Sequence, residues 1–320
     1  MEPSAKKERG RYKGFWSKIE HPLVSILVRT CGRPNWLKEA LLSVKRQTYP
    51  NIEILVVEDG LPLAERMVIE QFAPIMNIQY HATGVRVGRS RTGNIALTMS
   101  TGEWLNFLDD DDLFMRDHIE VLLRNAILQN AEGAYGISRE TTIQVISEDP
   151  LVYKEMSREI RYRQPFCRIT LWHYNYMPIQ SVLFNRRLYQ KWGGLEEGME
   201  QLEDWNLWTR YTLENDLVFV DKCTSIYRVT ADGHAQRIRQ KKLDQTYQKA
   251  LEKQRGMQFL CNPRWISESI EAYLRSQTVF ILTRGQIRSY VERFAITQWL
   301  LSWRGQFRKI WSCLRKRLGS

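Results

Sequence analysis

The sequence predicts an α/β fold: a mostly parallel central sheet flanked by helices, with a helical C-terminal extension. Two observations carry this. Short β-branched runs, PLVSILVRT at Pro22 to Thr30 and IEILVV at Ile52 to Val57, enclose a segment of helical period, and strand-helix-strand units of this kind imply parallel pairing with right-handed crossovers. Beyond Asp232 the chain becomes helical and basic.

The first run has the length and β-branched character of a buried parallel strand. Trp36, Leu37, Ala40, Leu41 and Val44 then recur at helical spacing, with Pro34 where a first helical turn tolerates proline. The chain turns at Tyr49 to Asn51 and enters the second strand, which ends in Glu58-Asp59-Gly60. A helix around Leu63 to Phe72, a strand near Ile78 to His81 and a helix from Ser90 to Ser100 follow. WLNFL (Trp104 to Leu108) is a further apolar strand, running directly into Asp109-Asp110-Asp111-Asp112.

From Tyr135 to Tyr176 the sequence is polar, aromatic and weakly periodic, which predicts strands and long loops around a ligand. SVLF at Ser181 to Phe184 reads as a strand, Arg186 to Trp192 as a short helix, Gly193-Gly194 as a turn, and Leu202 to Glu214 as a helix opened by Glu203-Asp204. Leu217 to Val220 and Thr224 to Val229 read as closing strands. The expected organisation is a basic lead-in over 1–20, an α/β domain over 21–235 and a basic helical extension over 236–320.

Composition narrows the class. With 43% hydrophobic and 26% charged residues the chain has an ordinary globular balance, and no apolar run reaches the roughly 18 residues needed to span a bilayer. The first twenty residues lack the apolar core of a secretory signal. Five scattered cysteines, without a Cys-x-x-Cys pair, argue against a disulfide framework or structural zinc and fit a reducing cytosol. A formal net charge of +11 favours an anionic partner.

Ligands of open α/β sheets bind at the carboxyl ends of the strands, which is where Asp59 and Asp109 to Asp112 fall. Consecutive carboxylates repel one another unless a cation or solvent relieves them. Mn²⁺ or Mg²⁺ suits an oxygen set of this kind, with phosphate oxygens and water completing the coordination. Asp59 is placed to accept from a ribose or base edge. Arg86, Arg89 and Arg91 lie in a glycine-containing loop leading into a helix, a setting that suits a diphosphate.

Four blocks in order, VSILVRTCGRP (Val24 to Pro34), QTYPNIEILVVEDG (Gln47 to Gly60), GEWLNFLDDDD (Gly102 to Asp112) and LEDWNLW (Leu202 to Trp208), resemble the inverting family 2 glycosyltransferases of the Rossmann-like GT-A fold. The resemblance covers Pro22 to Val229. It implies that Thr30 and Asp59 contact the nucleoside of a nucleotide-diphosphate sugar, with Arg91 and Asp110 also on the donor. It further implies that Asp109 and Asp111 form the Asp-x-Asp metal motif and that Asp204 is the general base. The Tyr227-Arg228 pair resembles the family's late Tyr-Arg block, and His234 after it is a candidate third metal ligand. The chain departs from the family at Arg29-Thr30-Cys31-Gly32, where Pro-Thr-Tyr-Asn is usual, and at Gly93-Asn94, where Arg-Gly is more common.

The implied acceptor is a glycan or lipid-linked glycan. In the last segment, Ile296, Leu300, Trp303, Phe307, Ile310, Leu314 and Leu318 form an apolar stripe beside Arg304, Arg308, Lys309, Arg315, Lys316 and Arg317. An anionic membrane surface is therefore an expected partner, and the cytoplasmic face of the inner membrane the expected location. A basic nucleic-acid-binding protein is the rival from another class. The chain has no recognisable nucleic-acid module, and the aspartate run would repel a phosphate backbone, so no nucleic acid is expected. A nucleotidyltransferase on a similar sheet is the second rival, and it leaves Glu203-Asp204 without a role.

Overall fold

The computed structural model describes residues 21–199, 201–258 and 263–277. The basic lead-in and the amphipathic tail from Ile296 to Leu318 lie outside the described residues. Strands β1 (Val24–Thr30), β2 (Ile52–Glu58), β3 (Ile78–Ala82) and β4 (Trp104–Asp109) pair in the order β3-β2-β1-β4, all parallel. Helices α1 (Pro34–Lys45), α2 (Glu65–Gln71) and α3 (Arg89–Met99) are the intervening crossovers. The β-branched runs form strands because both faces are covered, which removes any need for polar alternation.

Side-chain alternation divides the strands between two cores. Val24, Ile26 and Val28 pack with Ile54, Val56 and Leu108 against Leu37, Ala40, Leu41 and Val44 of α1. Leu27, Leu55, Val57, Leu105 and Phe107 pack on the opposite face with Ala96 and Leu97 of α3. A helix not anticipated above, α4 (His118–Leu128), adds Ile119, Leu122, Leu123 and Ala126 to the first core.

Beyond β4 the sheet changes character. The two-residue β5 (Leu113–Phe114), β6 (Gly133–Glu148), β8 (Val182–Asn185) and β9 (Val218–Thr230) extend it as β4-β8-β6-β9-β5, with only the β6–β9 pair parallel. The two closing strands expected from sequence are one strand, whose register shifts against β6 near polar Asp221 and Lys222. The polar, aromatic stretch contains β7 (Leu151–Glu159), which pairs antiparallel with β6. The β6–β7 hairpin docks on α1: Trp36 Nε1 donates to Glu148 Oε2 at 2.6 Å, and the Trp36 ring stacks on Tyr153.

Helices α5 (Arg168–His173), α6 (Arg186–Trp192) and α7 (Glu203–Tyr211) follow, and α7 buries Trp205 and Trp208 in the second core. Leu202, just before α7, adopts a left-handed conformation with φ 62°. Helix α8 (Gly233–Arg255) lies on α7, with Tyr247 stacked on Trp205 at 5.4 Å and Ala250 buried. Helix α9 spans Pro263–Gln277, and its Trp265 ring lies 4.5 Å from the Arg168 guanidinium. Among the described residues no helix is long and apolar enough to cross a membrane.

One glycine joins the strands that carry the site. Gly102 N–H donates to Ser25 Oγ at 2.8 Å and to Glu53 Oε1 at 2.9 Å, tying the start of β4 to β1 and β2. A Cβ at this position would meet Ser25 Oγ at 2.5 Å, Ser25 N at 2.7 Å and Leu23 O at 2.8 Å. Two of those atoms are backbone and cannot swing away, so Gly102→Ala should cost about 1–3 kcal/mol by overpacking. Urea unfolding measures this, and an unchanged midpoint would show that the strand junction relaxes freely.

Candidate active site

The parallel register itself assembles the cleft. It sets Thr30 opposite Glu58 and Arg29 opposite Asp109, so the chain leaves β1, β2 and β4 at one edge. Pleating then sends neighbouring side chains to opposite faces. Asp109 lies on the face of Phe107 and Leu105 and receives both forks of Arg29, Nε to Oδ1 at 2.7 Å and Nη2 to Oδ2 at 2.9 Å. Asp110 lies on the other face, accepting from Thr30 Oγ1 at 2.7 Å and Arg33 Nε at 3.1 Å.

The remaining aspartates belong to the same turn. Asp111, partly exposed, accepts from Arg33 Nη1 at 3.0 Å. Asp112 is buried and accepts from the Arg228 backbone N–H at 3.3 Å. The Arg228 guanidinium donates to the Asp111 carbonyl and to Glu39, and lies over the rings of Trp36 and Tyr153 at 4.7 and 5.4 Å. The hairpin docked on α1 thereby also holds the strand that braces the aspartate turn.

Charge crowding is visible in the ionisation of these groups. Burial, reinforced by Asp111, pushes the Asp110 carboxyl up to about 7. Burial, then Asp111 and Asp109, pushes Asp112 well above the carboxylate range. Burial also opposes ionisation of Asp109, but Arg29 outweighs it and holds that carboxyl below its usual value. One ligand oxygen each from Asp109, Asp111 and Asp112 lies within 4.8 Å of the others. An all-carboxylate set whose buried member, Asp112, resists ionisation fits a hard divalent cation such as Mn²⁺ or Mg²⁺, and each oxygen retains a second lone pair beyond its arginine hydrogen bond.

The other residues singled out from sequence are placed as follows. Both Asp59 oxygens accept backbone amides of the loop before α3, from Val87 at 2.6 Å and Gly88 at 3.2 Å. Asp59 thus shapes that loop. Its own N–H donates to the Thr30 carbonyl at 2.8 Å. Arg91 is exposed on α3 and joins no ion pair among the described residues. It is Arg89, at the helix's first position, that turns toward the carboxylates, 3.6 Å from Glu203. His234 is exposed at the start of α8, its backbone N–H capped by Asp232, and lies outside the carboxylate cluster, which includes Asp112 instead.

The two acids opening α7 differ sharply. Glu203 is buried and neutralised: Arg29 Nη1 donates to it at 3.1 Å, and Arg89 lies on the same oxygen. Asp204 accepts from Asn175 Nδ2 at 2.9 Å and from the Trp205 N–H at 2.8 Å, both uncharged donors. Burial first, then the neighbouring Glu203 charge, pushes the Asp204 carboxyl up to about 7. Asp204 is thus joined to the aspartate turn through Glu203, Arg29 and Asp109. A cavity of about 430 Å³ opens beside this chain, lined by Arg89, Gln201, Lys242, Gln245 and Thr246.

Sequence reasoning had not singled out Arg29 and Arg33. The signal was present in Arg29, a lone charge inside an otherwise apolar strand, which requires a buried partner.

The profile of the family described as Glycosyl transferase family 2 matches residues 25–191, more than half of the 320-residue chain, and the chain belongs to that family. Glycosyltransferase GlyA of Streptococcus pneumoniae is 24% identical over 217 residues, 64% of this chain and 30% of its own. An uncharacterized glycosyltransferase of Haemophilus influenzae is 27% identical over 195 residues, 58% of this chain and 60% of its own. The chain therefore spans less than two thirds of either relative's length. Among solved structures, the mannosyltransferase PcManGT of Pyrobaculum calidifontis in complex with GDP-Man and Mn²⁺ has a TM-score of 0.52 at 19% identity, covering 92% of this chain and 89% of its own. TarS 1-349 of S. aureus in complex with UDP-GlcNAc has a TM-score of 0.53 at 15% identity, covering 66% of this chain and 60% of its own. At these identities the likeness is one of fold.

Proposed function

We propose that the chain transfers a sugar from a nucleoside-diphosphate donor to a hydroxyl of a glycan or lipid-linked glycan acceptor, with inversion at the anomeric carbon. The observation that carries this is the convergence of Asp109, Asp111 and Asp112 at the end of β4, joined by Arg29 and Glu203 to a carboxyl at Asp204 that titrates near neutrality. The solved neighbours that bind UDP-GlcNAc or GDP-Man on this fold support a donor of that class.

On this reading the nucleoside meets Thr30, Asp59 and Asp110 at the ends of β1, β2 and β4, and Arg91 reaches the donor from α3. Asp109 and Asp111 would hold Mn²⁺ or Mg²⁺, with Asp112 behind them and His234 the further ligand the family resemblance offers. The ion would neutralise charge on the departing nucleoside diphosphate. Arg29 fixes the Asp109 carboxylate in one orientation, and Arg89 offers a cation to the same leaving group. Asp204 accepts the proton of the attacking hydroxyl. Glu203, already satisfied by two arginines, orients Arg29 and Arg89. Attack opposite the leaving group without an enzyme-bound intermediate inverts the configuration.

The test is donor-induced thermal stabilisation, screened with UDP-, GDP-, dTDP- and CMP-linked sugars with Mn²⁺ or EDTA. A donor at a hundred times its Kd should stabilise the protein by about 2.7 kcal/mol. Asp109→Asn and Asp111→Asn should each abolish that gain, as should EDTA. A gain untouched by both substitutions and by EDTA rules out the metal assignment.

A further inference from the structure

The two halves of α8 are held differently. Its C-terminal half is fastened: Tyr247 stacks on Trp205, Lys249 donates to the Gly198 carbonyl at 3.2 Å, Lys253 pairs with Glu196, and Gln254 donates to Thr209 at 3.1 Å. Its N-terminal half carries Arg237, Arg239, Lys241 and Lys242, all exposed. Arg237, Lys241 and Lys242 form no ion pair among the described residues, although eleven positions beyond Lys242 the same helix finds a carboxylate for Lys253 within the fold.

These cations surround space. Lys242 and Arg89 line the cavity of about 430 Å³ beside Glu203, together with Gln201, Gln245 and Thr246 and no acid. A second, more open cavity of about 560 Å³ continues along α8, lined by Arg237, Gln240, Lys241, Asp244 and Gln245. Gln245 lines both, so the two adjoin as a shallow groove along α8. Its single carboxylate, Asp244, already accepts from Gln240 Nε2 at 2.8 Å. Arg89, which lines the first cavity, lies 3.6 Å from Glu203, the residue before Asp204, and so places that cavity next to the start of α7.

We propose that this groove binds phosphate groups of the acceptor, so that the attacking hydroxyl belongs to a sugar carried next to a phosphodiester or diphosphate. The inference rests on the role of Asp204 stated above. A neutral glycan would leave Arg237, Lys241 and Lys242 unmatched. A phosphate there is met by the lysine point charges of α8, with Gln201, Gln245 and Thr246 as neutral donors.

The experiment titrates the full chain with sodium tripolyphosphate in EDTA, which removes metal-dependent donor binding from the measurement, and compares wild type with Lys241→Gln/Lys242→Gln and Asp109→Asn/Asp111→Asn. The lysine variant should bind tripolyphosphate about tenfold more weakly, the loss of two charge-assisted contacts. The aspartate variant should bind it as well as wild type. With Mn²⁺ and the donor identified by the thermal screen, the pattern should reverse: the aspartate variant loses donor binding and the lysine variant keeps it. Equal tripolyphosphate affinity in wild type and lysine variant overturns the proposal. So does loss of donor binding in the lysine variant, which would assign the groove to the donor diphosphate. Vesicles of phosphatidylglycerol are the third arm: binding to them that needs Lys241 and Lys242, with tripolyphosphate binding unchanged, would make the surface a membrane face and also overturns it. Failure of the aspartate variant to lose donor binding tells instead against the metal assignment, separately from this one.

Discussion

Asp204→Asn should lower turnover by at least about 10²-fold while leaving donor affinity within a fewfold of wild type. Asparagine keeps the shape of the side chain and its acceptor for the Asn175 or Trp205 N–H, but it cannot take a proton. The wild-type rate should fall as pH drops through about 7, because the Asp204 carboxyl titrates there and only its ionised form is a base. Stability should move the other way. The carboxyl rises from 3.8 to about 7 in the folded chain, so its ionisation costs stability progressively as pH climbs between those values. Removing it should therefore raise the melting temperature of Asp204→Asn relative to wild type at pH 8 and leave the two alike at pH 4. Near-normal turnover in the variant would place the base elsewhere. A melting difference independent of pH would mean that Asp204 is not held in its unfavourable ionisation state by the fold.

What the sequence discloses about this molecule follows the physics of each part. The strands β1, β2 and β4 are legible because burial on both faces demands uninterrupted apolar runs such as ILV at Ile26 to Val28. The β6–β7 hairpin is not, because its outer half alternates against solvent and carries exposed Ile146, Val152 and Met156 among charges. Helix α4 does carry a start signal in sequence, Asp117 at the cap position with Glu120 three residues on, although the Asp117 carboxylate makes no cap bond and is committed to Lys222 at 2.5 Å.

The same division runs through the cleft. Carboxylates at Asp59, Asp109 to Asp111 and Asp204 stand out in sequence because strand ends and a helix start give them local context. Their cations do not. Arg29 and Asp109 are adjacent only through the β1–β4 register, Arg33 meets Asp110 only once α1 has docked, and the choice between Arg89 and Arg91 depends on the rotation of α3 against α7. Charge matching across 77 or more residues is a tertiary property, and local periodicity carries no trace of it.

Arg29→Met should be among the most destabilising single changes in the chain. The guanidinium is 5% exposed, and its partners Asp109 and Glu203 are 20% and 3% exposed, so its removal leaves two poorly solvated carboxylates without their shared cation. Breaking a buried pair in this way costs about 3–5 kcal/mol. Methionine retains enough of the aliphatic stem to keep contact with the Phe107 ring, over which the guanidinium lies at 5.6 Å, so loss of packing contributes little. The exposed Arg66–Glu70 pair on α2 is the internal control, since Arg66→Ala should change stability by less than about 0.5 kcal/mol. Adding Glu203→Leu to Arg29→Met should recover part of the loss, because the second change removes one of the stranded charges, and the two substitutions should couple by about 1–3 kcal/mol in a double-mutant cycle. Urea unfolding of the four proteins measures this. If Arg29→Met costs less than about 1 kcal/mol, or if the two changes simply add, then Arg29 is not what keeps the acids at the ends of β4 and at the start of α7 together.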